Sequence, residues 1–126
     1  MSDKKKAGEQ TRREVLGDSH VDRSKENASS FNSRFQELIT EGAWGHVWSD
    51  ETLSRRERSL ITIALLAALG NDEELAMHIN ACHNTGASQE DIREALMHVA
   101  IYAGVPRANH AIRIAQEVFD KSGKSG

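Results

Sequence analysis

The sequence predicts an all-α protein, about five or six helices packed as a compact bundle, and three observations carry that prediction. No stretch alternates apolar and polar residues at the period of a strand. A single proline, Pro106, interrupts the chain. Apolar residues recur at spacings of three and four between recognisable helix starts and stops. At 126 residues the chain can hold one modest core, and association would help to stabilise it. With 16 Lys and Arg against 19 Asp and Glu, a net charge of -3 gives no reason to expect nucleic acid or a membrane surface as a partner. The one cysteine, Cys82, leaves no intrachain disulfide and suits a reducing cytosol. No N-terminal apolar run reads as a signal peptide. The longest apolar run, Leu60 to Leu69, is broken by Thr62 and too short to span a bilayer. The expectation is a soluble cytoplasmic protein.

In chain order, residues 1–10 and 121–126 read as disordered polar tails flanking one all-helical domain over 11–120. A short first helix covers about Thr11 to Leu16 and stops at Gly17. Asp18 to Arg23 is a polar segment dense in ionisable groups. Ser24 can cap a second helix to about Glu41, with Phe31, Phe35, Leu38 and Ile39 as its buried face. Gly42 to Trp48 is a glycine-flanked connection holding both tryptophans, which either anchor it or wall a pocket. Ser54 and Glu57 form a capping-box signature for a third helix running to Gly70. That helix is apolar nearly all round and must be covered on every side, most simply by another subunit. A fourth helix runs from Asn71 to a stop at Gly86. Ser88 and Asp91 start a fifth, with Ile92, Leu96, Val99 and Ala100 as its stripe, ending at Gly104. Pro106 suits the first turn of a sixth helix to about Asp120, with Ile112, Ala115, Val118 and Phe119 turned inward.

The fourth helix carries the chemistry. Glu74 and His78 lie four positions apart, hence one turn apart on one face. A carboxylate beside an imidazole that titrates near neutrality is a general acid/base pair in outline. The plainer readings are that Glu74 belongs to the helix start with Asn71 as its cap, and that His78 is a half-buried histidine. Six histidines raise the question of a metal, but neither His-Glu-x-x-His nor paired Glu-x-x-His is present, so no metal site is expected. Cys82 reads as a small core residue rather than a nucleophile.

Several stretches together resemble the gamma-carboxymuconolactone decarboxylases: Arg13 to Arg23 (REVLGDSHVDR), Ile39 to Gly45 (ITEGAWG), Arg56 to Leu60 (RERSL), Glu74-Leu75-x-x-His78, and Ile101 to Ala108 (IYAGVPxA). The likeness covers about residues 12 to 119. Glu-Leu-x-x-His and Tyr-x-Gly-x-Pro occur across the wider superfamily that includes the AhpD-type alkylhydroperoxidases, whereas the N-terminal segment is specific to the decarboxylases. Where the peroxidase branch has Cys-x-x-Cys, this chain has Asn71 and Glu74, so a disulfide relay is not available.

The resemblance implies an AhpD-like all-helical fold assembled as a ring-like homohexamer. It also implies a step of the beta-ketoadipate pathway for protocatechuate breakdown, in which a carboxylated lactone loses CO2 without a cofactor. On that footing His78 is the acid that delivers a proton and Glu74 orients and charges it. Arg58 and Arg55 are the nearest cations for the substrate carboxylates. His20 and Arg23 can reach over the pocket from a neighbouring subunit, and Trp44, Trp48 and Tyr102 supply walls. The competing readings are a related enzyme acting on another small acid or lactone, and a helical oligomer that binds a small acid without catalysis.

Overall fold

In a computed structural model of the chain, which describes residues 2–123, the contacts gather in two compact units, residues 1–54 and 55–126. The first holds α1 (Asp3–Leu16), α2 (Asp18–Glu26), α3 (Ser33–Ile39) and a π-helical segment, Thr40–Trp48. The second holds α4 (Arg55–Leu69), α5 (Asp72–Thr85), α6 (Gln89–Tyr102) and α7 (Val105–Gly123). The described residues are thus all-helical as expected, with more elements than the five or six read from the pattern.

The extra elements lie in the first unit, and each has a local cause. The tail expected over residues 1–10 is helical from Asp3. Ser2 caps it, its Oγ accepting from the Lys5 backbone N–H at 3.1 Å, which satisfies one of the donors a helix start leaves over. What then holds α1 is backbone lying on backbone rather than an apolar stripe. A Cβ placed on Gly8 would stand 2.1 Å from the Thr40 carbonyl oxygen, and one on Gly45 would stand 2.2 Å from that of Lys4. Around this seam Ser2 donates to Glu41 at 3.2 Å, Lys4 to His46 at 3.1 Å, and the Thr11 and Ser49 hydroxyls meet at 2.7 Å.

The polar stretch after Gly17 is also a helix, α2. Arg13 spans its first two turns by bonding Asp18 at 3.0 Å and Asp22 at 2.9 Å, while Val21 is buried beneath. Ser24 therefore lies inside α2 and caps nothing. The long second helix expected over 24–41 is broken after Glu26, because Ser29 and Asn32 bond each other's backbone N–H groups (2.8 and 3.2 Å) and the Asn32 amide donates to the Asn27 carbonyl at 3.1 Å. Short polar side chains offer the backbone an alternative to the helical ladder. The face expected to be buried there is not: Phe31 is 96% exposed, and Phe35 and Leu38 are also exposed. The glycine-flanked connection is the π-helical segment, closed by the Ser49 N–H and Oγ on the Trp44 carbonyl (3.0 and 2.7 Å).

The second unit follows the pattern closely, because its boundaries rest on local rules. Gly70, Gly86 and Gly104 all have positive φ (76°, 91° and 115°), the region where a side chain is strained, and each ends a helix. Ser88 and Asp91 form the capping box in both directions (3.0 and 2.9 Å), and Pro106 lies in the first turn of α7. Asn71 stands at the start of α5, but its side chain makes no capping bond, so the capping reading of Asn71 with Glu74 is corrected. Ile63, Ala67, Leu75, Ile79, Ile92, Leu96, Val99, Ala111 and Ala115 form the core, with Val118 and Phe119 packed on it. Ile112, expected inside, is exposed. α4 buries one face through Ile63 and Ala67 and leaves Ile61, Leu65 and Leu69, four apart, on the surface of the unit. No helix of the described residues is long and apolar enough to cross a membrane.

Candidate functional site

α5 opens with Asp72, Glu73 and Glu74, three carboxylates in the first turn, where the helix dipole favours negative charge. Its inward stripe is Leu75, His78, Ile79 and Cys82. The register predicted for Glu74 and His78 is present, but the two residues differ in environment. His78 is 7% exposed. Glu74 is exposed, and no hydrogen bond or ion pair engages its side chain among the described residues. The pair therefore shares a turn of helix without a direct bond.

Cys82, one turn beyond His78, is buried, and its thiol donates to the His78 carbonyl at 3.4 Å. Burial pushes this thiol above its ordinary pKa, against the opposing pull of the Thr85 and Ser59 hydroxyls. That is the setting of an inert core cysteine, as expected.

The α4–α5 hairpin decides which cations lie near which end of α5. Ser59 Oγ and Thr85 Oγ1 meet at 2.7 Å, so the start of α4 is level with the end of α5. Glu74 precedes Thr85 by eleven residues, which at 1.5 Å per residue is about 16 Å along the axis. Arg55 and Arg58 consequently stand toward the end of α5 away from Glu74, with His78 at an intermediate level. Arg56, between them, bonds both oxygens of Asp91 at 2.7 and 2.8 Å and serves the fold.

At the Glu74 end the neighbours come from α7, and the sequence reading passed over them. His110 Nε2 meets Asp72 Oδ2 at 2.9 Å. Arg107 lays its guanidinium against Gly70, where an added Cβ would lie 2.0 Å from Nη1. Their signal was the spacing of three after Pro106, which puts both on one face of a helix; the resemblance stretch holds Arg107 only as an unmatched position.

Tyr102, the last residue of α6, is exposed and stacks on His98 with ring centroids 6.2 Å apart. The other expected site residues lie in the first unit. His20 is half-buried and Arg23 exposed, both on α2. Trp44 and Trp48 are buried, with ring centroids 5.1 Å apart and planes tilted by 33°. Among the described residues no three His, Cys, Asp or Glu side chains gather so as to hold a metal ion.

α5 therefore begins with three carboxylates, buries an imidazole one turn on and has arginines toward both of its ends. Over residues 33–117 the sequence matches the model of the Carboxymuconolactone decarboxylase family, and the chain belongs to that family. Among its relatives is a 4-carboxymuconolactone decarboxylase of Acinetobacter baylyi, 48% identical over 118 residues, covering 94% of this chain and 88% of that protein. A nitrosuccinic acid decarboxylase of Metarhizium robertsii is 38% identical over 113 residues, 90% of this chain and 79% of that one. A 4-carboxymuconolactone decarboxylase of Pseudomonas putida is 59% identical over 39 residues, 31% of this chain and 81% of that sequence.

Proposed function

We propose that the chain decarboxylates 4-carboxymuconolactone, the gamma-carboxymuconolactone of the beta-ketoadipate pathway, to beta-ketoadipate enol-lactone and CO2. The observation that carries this reading is 48% identity over 94% of the chain to a decarboxylase of that name. The chemistry fits a protein that offers acids, imidazole and arginine. The departing carboxylate sits on a ring carbon conjugated through a double bond to the lactone carbonyl. When its C–C bond breaks, the electron pair moves into the ring as a dienolate ending on the carbonyl oxygen. A proton then adds to the carbon alpha to that carbonyl. The ring is its own electron sink, so the protein must orient the carboxylates, stabilise the oxygen and supply the proton.

In this reading His78 delivers the proton and Glu74, one turn away, orients it once substrate is bound. Arg58 and Arg55 hold carboxylate from one end of α5. His20 and Arg23 close over the pocket from a neighbouring subunit, and Trp44, Trp48 and Tyr102 wall it. The assembly in this reading is a homohexamer in the cytosol; the apolar ridge Ile61, Leu65 and Leu69 left on α4 supports only association with another copy. Fresh 4-carboxymuconolactone is followed by its ultraviolet absorbance with parent, His78→Gln and Glu74→Gln, all checked for unchanged assembly. The parent turns over, and His78→Gln falls by a factor of about 10² or more, as for loss of a positioned acid. Full activity in His78→Gln removes it as the acid, and an inactive parent removes the substrate.

A further inference from the structure

Within residues 1–54, a cavity of about 280 Å³ opens between α1, α2 and α3. Lys5, Glu9 and Arg12 line it from α1, at spacings of four and three that put them on one face. Most of its charges are already matched. Lys5 Nζ donates to Glu37 at 3.3 Å, and Lys25 Nζ bonds Glu9. Glu9 also has Arg13 at 3.7 Å, and Lys25 holds the Glu9 carboxyl below its ordinary pKa, burial opposing. Both cavity acids are therefore engaged.

Arg12 is the exception. Its Nε is buried and has no hydrogen-bond partner, and burial depresses its pKa while the charge of Glu9 opposes. An arginine stays protonated regardless, so this half-buried guanidinium carries a charge that no hydrogen bond or ion pair of the described residues answers, which is costly for a partly desolvated cation. Ser24, Ser33 and Gln36 line the same cavity with hydroxyl and amide groups, and Val21 and Ala28 give it an apolar side.

We propose that this cavity binds a small organic monocarboxylate, its two oxygens on the two terminal nitrogens of Arg12 and its short apolar body against Val21 and Ala28. The charge balance selects the ligand class. Lys5, Lys25 and Arg12 face Glu9 and Glu37, an excess of one positive charge, which a single carboxylate neutralises. A phosphate dianion would overshoot it and face two carboxylates. The volume, at the bottom of the range of about 300–1,000 Å³ that houses drug-sized ligands, restricts the occupant to metabolite size. The planar fork of an arginine matches a carboxylate in two parallel bonds. The site lies on other helices than α5 and does not depend on the decarboxylase reading.

The test is equilibrium dialysis of the full chain with radiolabelled butyrate, with inorganic phosphate as competitor. Saturable binding of one butyrate per chain is expected, unmoved by equimolar phosphate. It should weaken about tenfold or more in Arg12→Gln and several-fold in Gln36→Leu, with unchanged circular dichroism, while His78→Gln binds like the parent. Absence of saturable binding in the parent overturns the proposal. So does binding that survives both cavity substitutions, that phosphate displaces equally, or that His78→Gln alone abolishes. A change of assembly in Arg12→Gln without butyrate binding by the parent would instead give the arginine to an acid of a second copy.

Discussion

Alanine at Gly8 tests the seam that holds the first unit together. Its Cβ would lie 2.1 Å from the Thr40 oxygen, 2.9 Å from the Gly45 nitrogen and 3.1 Å from the Thr40 carbon. All three are backbone atoms, which cannot swing aside. An ordinary C···O contact is about 3.3–3.6 Å, so α1 and the π-helical segment would have to part by roughly 1.2 Å. The same parting takes the 2.7 Å Thr11–Ser49 bond beyond hydrogen-bonding distance, a loss of about 1 kcal/mol. Overpacking against rigid atoms adds about 2–3 kcal/mol, and the better helix propensity of alanine returns about 1 kcal/mol. The net is a destabilisation of about 2–3 kcal/mol. Gly42→Ala is the matched control, because a Cβ there meets nothing within 4 Å and its φ is not positive; it should be neutral or up to about 1 kcal/mol stabilising. Both tryptophans belong to this unit, so their fluorescence in urea reports it directly. With a slope of about 2 kcal/mol per molar, the Gly8→Ala midpoint should drop by roughly 1–1.5 M. A midpoint at or above that of the parent would mean that the two backbones do not approach as described.

Two further outcomes can be checked. Arg56 and the Ser88 N–H hold the Asp91 carboxyl well below the usual carboxylate range, so the folded state binds this proton less readily than the unfolded chain. Its contribution is fully present above about pH 4, the unfolded value, and is lost as pH falls below that toward the folded value. Asp91→Asn should flatten the melting temperature against pH in that window and leave the slope near neutrality unchanged; identical acid limbs would show that the pair contributes nothing. Leu65, 58% exposed on the apolar ridge of α4, should be covered in the proposed assembly, so Leu65→Glu is expected to reduce the sedimenting mass while the helical circular dichroism is retained, and a variant that sediments like the parent removes that ridge from the interface.

How far the sequence alone reached depended on whether each feature is set within a few residues or across the fold. From Arg55 onward it determined nearly everything about the helices: glycines with positive φ at 70, 86 and 104, the Ser88–Asp91 box and Pro106 act on adjacent residues, so boundaries there follow from reading along the chain. It also carried the family, because motifs at 13–23, 56–60, 74–78 and 101–108 are strings of residue types. It determined the register of Glu74 and His78, since four positions on a helix are always one turn. Tertiary structure decided the rest. Residues 3–10 are polar and read as a tail, yet they are helical because Gly8 and Gly45 let two backbones touch, a contact between residues 37 positions apart. Phe31, Phe35 and Leu38 keep a helical spacing on the exposed side of a short helix that Ser29 and Asn32 set apart. Only packing buried His78 while exposing Glu74, committed Arg56 to Asp91 instead of to a ligand, and laid Arg107 and His110 against the start of α5. Local hydrogen-bonding rules operate over one turn of helix. Burial and charge pairing are properties of what another segment brings to the same place, which no window of sequence contains.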